Sequence, residues 1–453
     1  MANGPLTLWM NGALVGRWWS GRGTDSRLEY APEWMSDPRG RPLSLSLPFT
    51  YPDGTIRGEL VDRWFDNLLP DSDAIRGRLA LRYRVSPRDS HALLGAIGRD
   101  CVGALQIVPE GEAPGRVDSI RYTALTDEDV ASRLLSVPSA RPFGQNVDDD
   151  DTVRISIAGA QEKTALLRHD GQWCVPIGAT PTTHIFKLPL GEVAVVKADF
   201  STSVENEWLC LTLLRAMGLR TASSEIGYFP GPQGDVTALI VERFDRMHTV
   251  SVEGNAWIAR LPQEDCCQVS GTASSMKYES DGGPGVSRIL DLLANSDNAA
   301  TDVSTFVRAQ LAFWLLAAPD GHAKNFSIAM QAGGRYSLRP LYDVLSAWPI
   351  IGHGPKEWNY GKVSLAMGIR GTSGLHRHLH KIHVTHWKRL AASTGVPFLF
   401  ESMVAMVDAL PATLAQVEPR LPAGFPVQVW ERIRDGLLAQ RERFQAALMA
   451  GES

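Results

Sequence analysis

The chain has 453 residues, too many for one ordinary hydrophobic core, so two or three packed units are expected. With 44% apolar and 21% charged residues it reads as neither disordered nor fibrous, and a formal net charge of −5 excludes a general pull toward nucleic acid or anionic membrane. The five cysteines (Cys101, Cys174, Cys210, Cys266 and Cys267) are odd in number and form no Cys-x-x-Cys pair, which fits reduced thiols.

The first ten residues lack the basic-then-apolar order of a signal peptide, and the apolar run at 311–318 is far too short to span a bilayer. A soluble, cytoplasmic protein with no membrane partner is the expectation. Alternating apolar residues flank Asn11-Gly12, the signal of a tight hairpin. Strand-like pieces follow at 44–47 and 103–108, and residues 62–69 and 72–83 have helical spacing. Residues 1–125 therefore form a small α+β subdomain, and the acidic stretch 146–151 is a surface loop.

Residues 126–262 form a second subdomain, mostly strand and hairpin from Arg154 onward. It opens with Ser156-Ile-Ala158-Gly159-Ala160-Gln-Glu-Lys163-Thr-Ala-Leu, a strand, a small-residue turn and a second strand. Small residues let backbone N–H groups approach phosphate oxygens. The segment is not a Walker A loop, because it lacks the Gly-Lys-Ser/Thr ending, and taken alone it is an ordinary hairpin. Next comes Thr183-His-Ile-Phe-Lys187-Leu, a strand carrying a lysine. The following helix is expected to run from an N-cap at Ser203 to Gly218, with Val204, Trp208, Leu211 and Leu214/Arg215 along one stripe. Glu207 lies on that stripe, where a carboxylate wants a cation. Lys187 is its natural partner, and a strand lysine held by a helix glutamate is how kinases grip ATP phosphates. The apolar strand 237–241 then runs into Glu242-Arg-Phe244-Asp245, a candidate hinge offering backbone groups to an adenine edge.

Residues 263–453 read as a mainly helical lobe. An apolar helix from Phe306 through Leu316 is stopped by Pro319, and the sharpest signal follows: Asp320-Gly-His322-Ala-Lys324-Asn325-Phe, then Leu-Tyr342-Asp343. Asp-x-x-x-x-Asn is the spacing of a kinase catalytic loop, whose aspartate receives the hydroxyl proton and whose asparagine binds magnesium. Strand-like residues 326–330 and 336–341 flank Gly333-Gly334. Constant hairpin register then sets Asn325 opposite Tyr342, next to Asp343. Each residue singly is an ordinary cap or turn former. Their succession (phosphate loop, lysine strand, glutamate helix, hinge, catalytic loop, metal carboxylate) carries the kinase reading.

The histidines at 376, 378, 380, 383 and 386, interleaved with Arg377, Lys381, Lys388 and Arg389, are expected to form a solvated basic loop rather than a metal site. A contact with nucleic-acid phosphate is the second reading of this cluster. The last helix places Trp430, Ile433, Leu437, Phe444 and Leu448 on one side.

These segments resemble the HipA family of bacterial serine/threonine-kinase toxins across nearly the whole chain. The specific runs are the 156–166 segment above, Leu261-Pro-Gln263-Glu-Asp, Lys277-Tyr-Glu-Ser-Asp-Gly-Gly-Pro-Gly and Asp320-Gly-His-Ala-Lys-Asn-Phe; Tyr30-Ala-Pro-Glu-Trp, Phe65-Asp-Asn-Leu-Leu-Pro-Asp and Ile97-Gly-Arg-Asp support them. The resemblance implies an α+β, two-lobed fold and Mg2+ and ATP as cofactors. It implies Asp320 as the base, with Lys187, His322 and Lys324 in the catalytic set and Asn325 and Asp343 as metal ligands. Nucleotide contacts would come from Ala158, Gly159, Ala160, Lys163, Lys187, Glu207 and Tyr342, from the backbones of Glu242 and Phe244, and from Gln263 and Asp245 at the ribose. Ser156 occupies the place of an inactivating autophosphorylation, and residues 191–204 that of a mobile, substrate-facing loop. The implied protein substrate is an aminoacyl-tRNA synthetase, glutamyl foremost, whose modification stalls translation and favours persistence. The implied partner is a HipB-like helix-turn-helix antitoxin that brings the chain to operator DNA as co-repressor. Ala318-Pro319 stands where ordinary protein kinases carry His-Arg, so control through a phosphorylated activation loop is not expected. A small-molecule phosphotransferase and a catalytically dispensable co-repressor scaffold are the competing readings.

Overall fold

The computed structural model describes residues 4–21, 25–50, 52–137, 155–156, 161–193, 198–354 and 356–451. Its chain gathers into two compact units: Met1–Leu188, Gly227–Ser275 and Ser327–Tyr336 form the first, and Pro189–Ile226, Met276–Phe326 and Ser337–Ser453 the second. Helices and antiparallel sheets mix throughout, so the class is α+β, as expected.

In the first unit, Leu6–Met10 and Ala13–Trp19 pair around the predicted Asn11-Gly12 turn. They sit in a five-stranded sheet in the order Thr55–Arg57, Arg27–Tyr30, Ala13–Trp19, Leu6–Met10, Leu105–Pro109. Helices Glu59–Asp66 and Ser90–Ile97 bring Val61, Phe65, Leu94 and Ile97 into one core with Leu8, Trp18 and Leu28. Trp18 stacks on Phe65 with ring centroids 3.9 Å apart. The strand expected at 44–47 is only an isolated bridge between Ser44 and Leu47. The Leu45 N–H donates to the Glu264 carboxylate and the Leu47 N–H bonds back to the Ser44 carbonyl, which takes those backbone groups out of any longer ladder, while the Ser44 hydroxyl also donates to Glu264.

A second sheet of this unit runs Val236–Glu242, His184–Lys187, Lys163–His169, Gln172–Pro176, Tyr122–Ala124. Phe186, Leu166 and Ile240 pack with Val130 and Leu134 of helix Asp127–Ser136, whose start is fixed by a reciprocal Thr126–Asp129 cap.

The second unit is mainly helical. Helix Ser203–Ala216 begins where expected, but its cap position is Thr202, with no side-chain cap. The Ser203 hydroxyl instead accepts the Leu190 N–H at 2.9 Å. The helix is buried on nearly every side, Arg215 being its exposed residue, where a single stripe was expected. Helix Val427–Met449 does bury Trp430, Ile433, Leu437 and Phe444 as its spacing predicts. The histidine cluster is not a solvated loop. His376 and His378 lie half-buried on strand Leu375–His378, and His376 stacks at 4.5 Å on His386, which is buried on helix Val384–Ser393. Among the described residues no group of three or more His, Cys, Asp or Glu is placed to hold a metal. All five cysteines are buried, and none is in a disulfide. No described helix is long and apolar enough to cross a membrane.

Candidate active site

The catalytic-loop residues are set by how helix Ala299–Leu315 ends. Its closing turn places Ala317 at φ 48, and the Ala318 N–H bonds back to the Phe313 carbonyl at 2.8 Å. That is a Schellman closure with alanine where glycine is the easy choice. Pro319 follows and Asp320 emerges from the turn. The His322 N–H donates to the Asp320 carbonyl (2.8 Å) and the Asn325 N–H to that of His322 (2.9 Å), winding Ala323–Asn325 into one tight turn. A Cβ at Gly321 would lie 2.5 Å from the Phe313 ring, so the residue after Asp320 has no room for a side chain.

Asn325 is 3% exposed, and its amide donates to two backbone carbonyls, Asp320 at 3.0 Å and Asp343 at 3.1 Å. With the nitrogen spent on both, the amide orientation is fixed and its oxygen is the atom left for a ligand. Asp343 sits at φ 59, a left-handed conformation that aspartate tolerates better than most residues. The Tyr342 hydroxyl donates to the Lys324 carbonyl at 2.8 Å. The residues that the hairpin register expects together are linked by two hydrogen bonds, Asn325 to Asp343 and Tyr342 to Lys324. His322 and Lys324 are buried in the same loop, with the His322 Nε2 3.8 Å from the Asp320 Oδ1. The Asp320 side chain is 47% exposed, and its Oδ1 accepts the Tyr278 hydroxyl.

In the first unit, Lys187 closes strand His184–Lys187 and is 7% exposed. Its register partner on the neighbouring strand is Lys163. Two like charges at directly opposed positions destabilise a sheet by themselves, an effect an anion offsets. Glu242 ends the hinge strand exposed, and Phe244 follows half-buried. Gln263 lies on strand Gln263–Asp265, opposite Ala329, and its buried Oε1 has no hydrogen-bond partner among the described residues. An orphaned acceptor of this kind suits a sugar hydroxyl.

Asp245 differs from its expected ribose contact. It is 3% exposed, and its carboxylate accepts the Arg243 Nε (3.0 Å), the Arg243 Nη2 (2.8 Å) and the Gly103 N–H (2.7 Å). With both oxygens engaged inside the protein, we assign Asp245 to the architecture of the hinge. Glu207 belongs to the second unit, 1% exposed on helix Ser203–Ala216. Ala158, Gly159 and Ala160 lie outside the described residues. The backbone of Ser156, in strand Ile155–Ser156, pairs in parallel with Asp100–Cys101. Gly191–Val193 pairs with Ala198–Phe200 in the segment expected to face substrate.

Two features escaped sequence reasoning. One is the Tyr278 contact with Asp320, for which the tyrosine beside Lys277 was the available signal. The other is Asp100, whose carboxylate meets Arg243 (3.2 Å), Arg246 (2.8 Å) and Arg260 (3.2 Å), all nearly inaccessible. Burial would raise the Asp100 carboxyl, but the charges of Arg246, Arg243 and Arg260 outweigh it and hold it well below the ordinary carboxylate range.

The HipA-like C-terminal domain family matches residues 155–417, and the HipA N-terminal domain family matches residues 6–108. The chain belongs to the HipA family. Its relatives include Y4mE of Sinorhizobium fredii, whose name assigns it provisionally to the kinases, at 32% identity over 91% of each chain. The serine/threonine-protein kinase toxin HipA of Shewanella oneidensis is 28% identical over 70% of this chain and 69% of that one. A solved structure of HipA with HipB and operator DNA from Shewanella oneidensis MR-1 superposes with a TM-score of 0.76, at 24% identity, over 97% of both chains. That likeness establishes the HipA fold.

Proposed function

We propose that this HipA-family chain is a protein serine/threonine kinase that transfers the γ-phosphoryl group of Mg-ATP. One observation carries the reading: a single buried asparagine, Asn325, ties the backbones of Asp320 and Asp343 together. That gathers a half-exposed carboxylate, a carboxamide oxygen and a second carboxylate at one end of a hairpin, the donor set phosphoryl transfer needs. Asp320 accepts the proton of the attacking hydroxyl. Asn325 Oδ1 and the Asp343 carboxylate are the hard oxygen donors for magnesium, which when bound neutralises phosphate charge during transfer. Lys187 and Lys163 bind phosphate oxygens, and Glu207 is the helix carboxylate of the proposed kinase set. The Glu242 and Phe244 backbones meet adenine, and the orphaned Gln263 oxygen takes a ribose hydroxyl. The acceptor we assign is an aminoacyl-tRNA synthetase, the glutamyl enzyme foremost, with Ser156 as the self-inactivating site. A HipB-like antitoxin is the proposed partner and the route to operator DNA.

The test is incubation of the chain with γ-labelled ATP and a bacterial extract, followed by identification of the labelled protein. Asp320→Asn should lower transfer by at least about 100-fold, the usual contribution of a general base, with thermal melting unchanged. Undiminished labelling by that variant removes Asp320 from its role, and label on a small molecule alone makes the chain a small-molecule phosphotransferase.

A further inference from the structure

The run Lys277-Tyr-Glu-Ser-Asp-Gly-Gly-Pro-Gly has no part in the machinery so far described, yet its tyrosine reaches the catalytic carboxylate. We propose that Tyr278 is the positioning residue of Asp320, and that the rest of the run is a rigid cradle for it; this rests on the kinase reading above.

The Tyr278 hydroxyl donates to Asp320 Oδ1, while Asp320 Oδ2 has no hydrogen bond from the described residues. One oxygen is therefore tied to the protein and the other is left for the substrate hydroxyl. The tyrosine ring stands edge-on to His322 at 4.9 Å and 85°, a contact that restrains the plane of the ring. The Ala323 N–H bonds to the Lys277 carbonyl (3.4 Å), so tyrosine and catalytic loop are also joined through the backbone.

Each neighbour of Tyr278 restrains it. The Tyr278 carbonyl accepts the N–H groups of Asp281 (3.0 Å) and Gly283 (2.9 Å), folding the run into a compact turn. The Glu279 carboxylate accepts the Gly368 N–H (2.7 Å) and Arg377 Nη2 (3.2 Å), pinning that turn to strand Ser364–Arg370 and its neighbour. A Cβ at Gly283 would lie 2.1 Å from the Met276 carbonyl oxygen, so the fold-back excludes any larger residue. A phenol on a turn locked at three points holds a carboxylate to one rotamer. A carboxylate free to rotate would sample orientations with neither oxygen on the hydroxyl, and misplacements near 1 Å reduce rates by about 100-fold.

The experiment compares wild type, Tyr278→Phe and Asp320→Asn in labelled-ATP transfer to the bacterial extract, with ATP varied and melting recorded. Tyr278→Phe keeps the ring and loses the donor. Its kcat should fall about 10- to 100-fold, while KM for ATP and the melting curve stay within about twofold and about 2 °C of wild type. Gly283→Ala, which displaces the cradle, should reproduce the kcat loss. Wild-type kcat in Tyr278→Phe overturns the proposal. So does a faster variant, which would make the tyrosine a plug on the base, and so does a loss confined to KM. Inactive wild type would instead sink the kinase reading itself, so the two failures are distinguishable.

Discussion

Glu264 shows how one residue can tie a nucleotide strand to the body of its unit. It is fully buried beside Gln263 and accepts the Ser44 hydroxyl, the Leu45 N–H (3.0 Å) and the Trp64 indole N–H (3.2 Å). Asp265, the next residue, caps helix Cys266–Val269, so Gln-Glu-Asp reads as sugar ligand, anchor and cap. Burial pushes the Glu264 carboxyl from 4.5 up to about 7, against the opposing effect of its three donors. The folded state therefore holds this proton more tightly than the unfolded chain does. Its contribution is fully present below pH 4.5 and is lost as pH rises through about 7. Glu264→Gln has no such proton to lose. Urea unfolding followed by tryptophan fluorescence should show the variant gaining on wild type between pH 4.5 and 7.5, by on the order of 3 kcal/mol. A pH-independent difference would show that Glu264 titrates normally.

The elements legible in the sequence are those whose signals are local. Asn11-Gly12 and Gly333-Gly334 announce their turns, and constant register about the second predicts Asn325 beside Tyr342 and Asp343. The misreadings share a cause in partners remote along the chain. Residues 44–47 look like a strand until Glu264 takes their donors, and Ser203 looks like a cap until Leu190 claims its hydroxyl. The arginine cluster is the extreme case. Asp100, Thr182, Arg243, Arg246 and Arg260 lie on separate segments, and nothing in any one of them announces the others. Asp100 also lies on the two-residue strand that pairs with Ile155–Ser156, so it joins that strand with Arg243, which follows strand Val236–Glu242. Removing its charge leaves Arg243 and Arg246 with Asp245 as their one carboxylate and Arg260 with none, among the described residues. Asp100→Asn should destabilise the first unit by about 3–5 kcal/mol in denaturant unfolding. Adding Arg246→Met should then cost less than the sum of the single changes, because the second removes a charge the first has left uncompensated. Additive losses would mean the cluster does not act as one element.

At the scale of the molecule, the first unit carries the proposed phosphate and ribose ligands Lys163, Lys187 and Gln263, and the second carries the proposed base and metal ligands Asp320, Asn325 and Asp343. A net charge of −5 offers polyphosphate no general attraction, so on the proposed reading ATP affinity rests on local groups such as the opposed lysines. Binding to the folded state alone raises stability by RT ln(1 + [L]/Kd), about 2.7 kcal/mol at a hundredfold excess over Kd. Mg-ATP should accordingly raise the apparent melting temperature of the wild-type chain, and ATP with EDTA should raise it less. Lys187→Met in one unit and Asp343→Asn in the other should each lose most of that rise, while their ligand-free melting stays close to wild type. Asp343→Asn should in addition lose the difference between magnesium and EDTA, because its carboxylate is the charged half of the proposed metal pair. Lys187→Met should keep that difference in proportion to its remaining affinity. A full rise in either variant removes that residue from the nucleotide set. A rise of equal size with and without magnesium in the wild type argues that Asn325 and Asp343 are brought together for the fold alone.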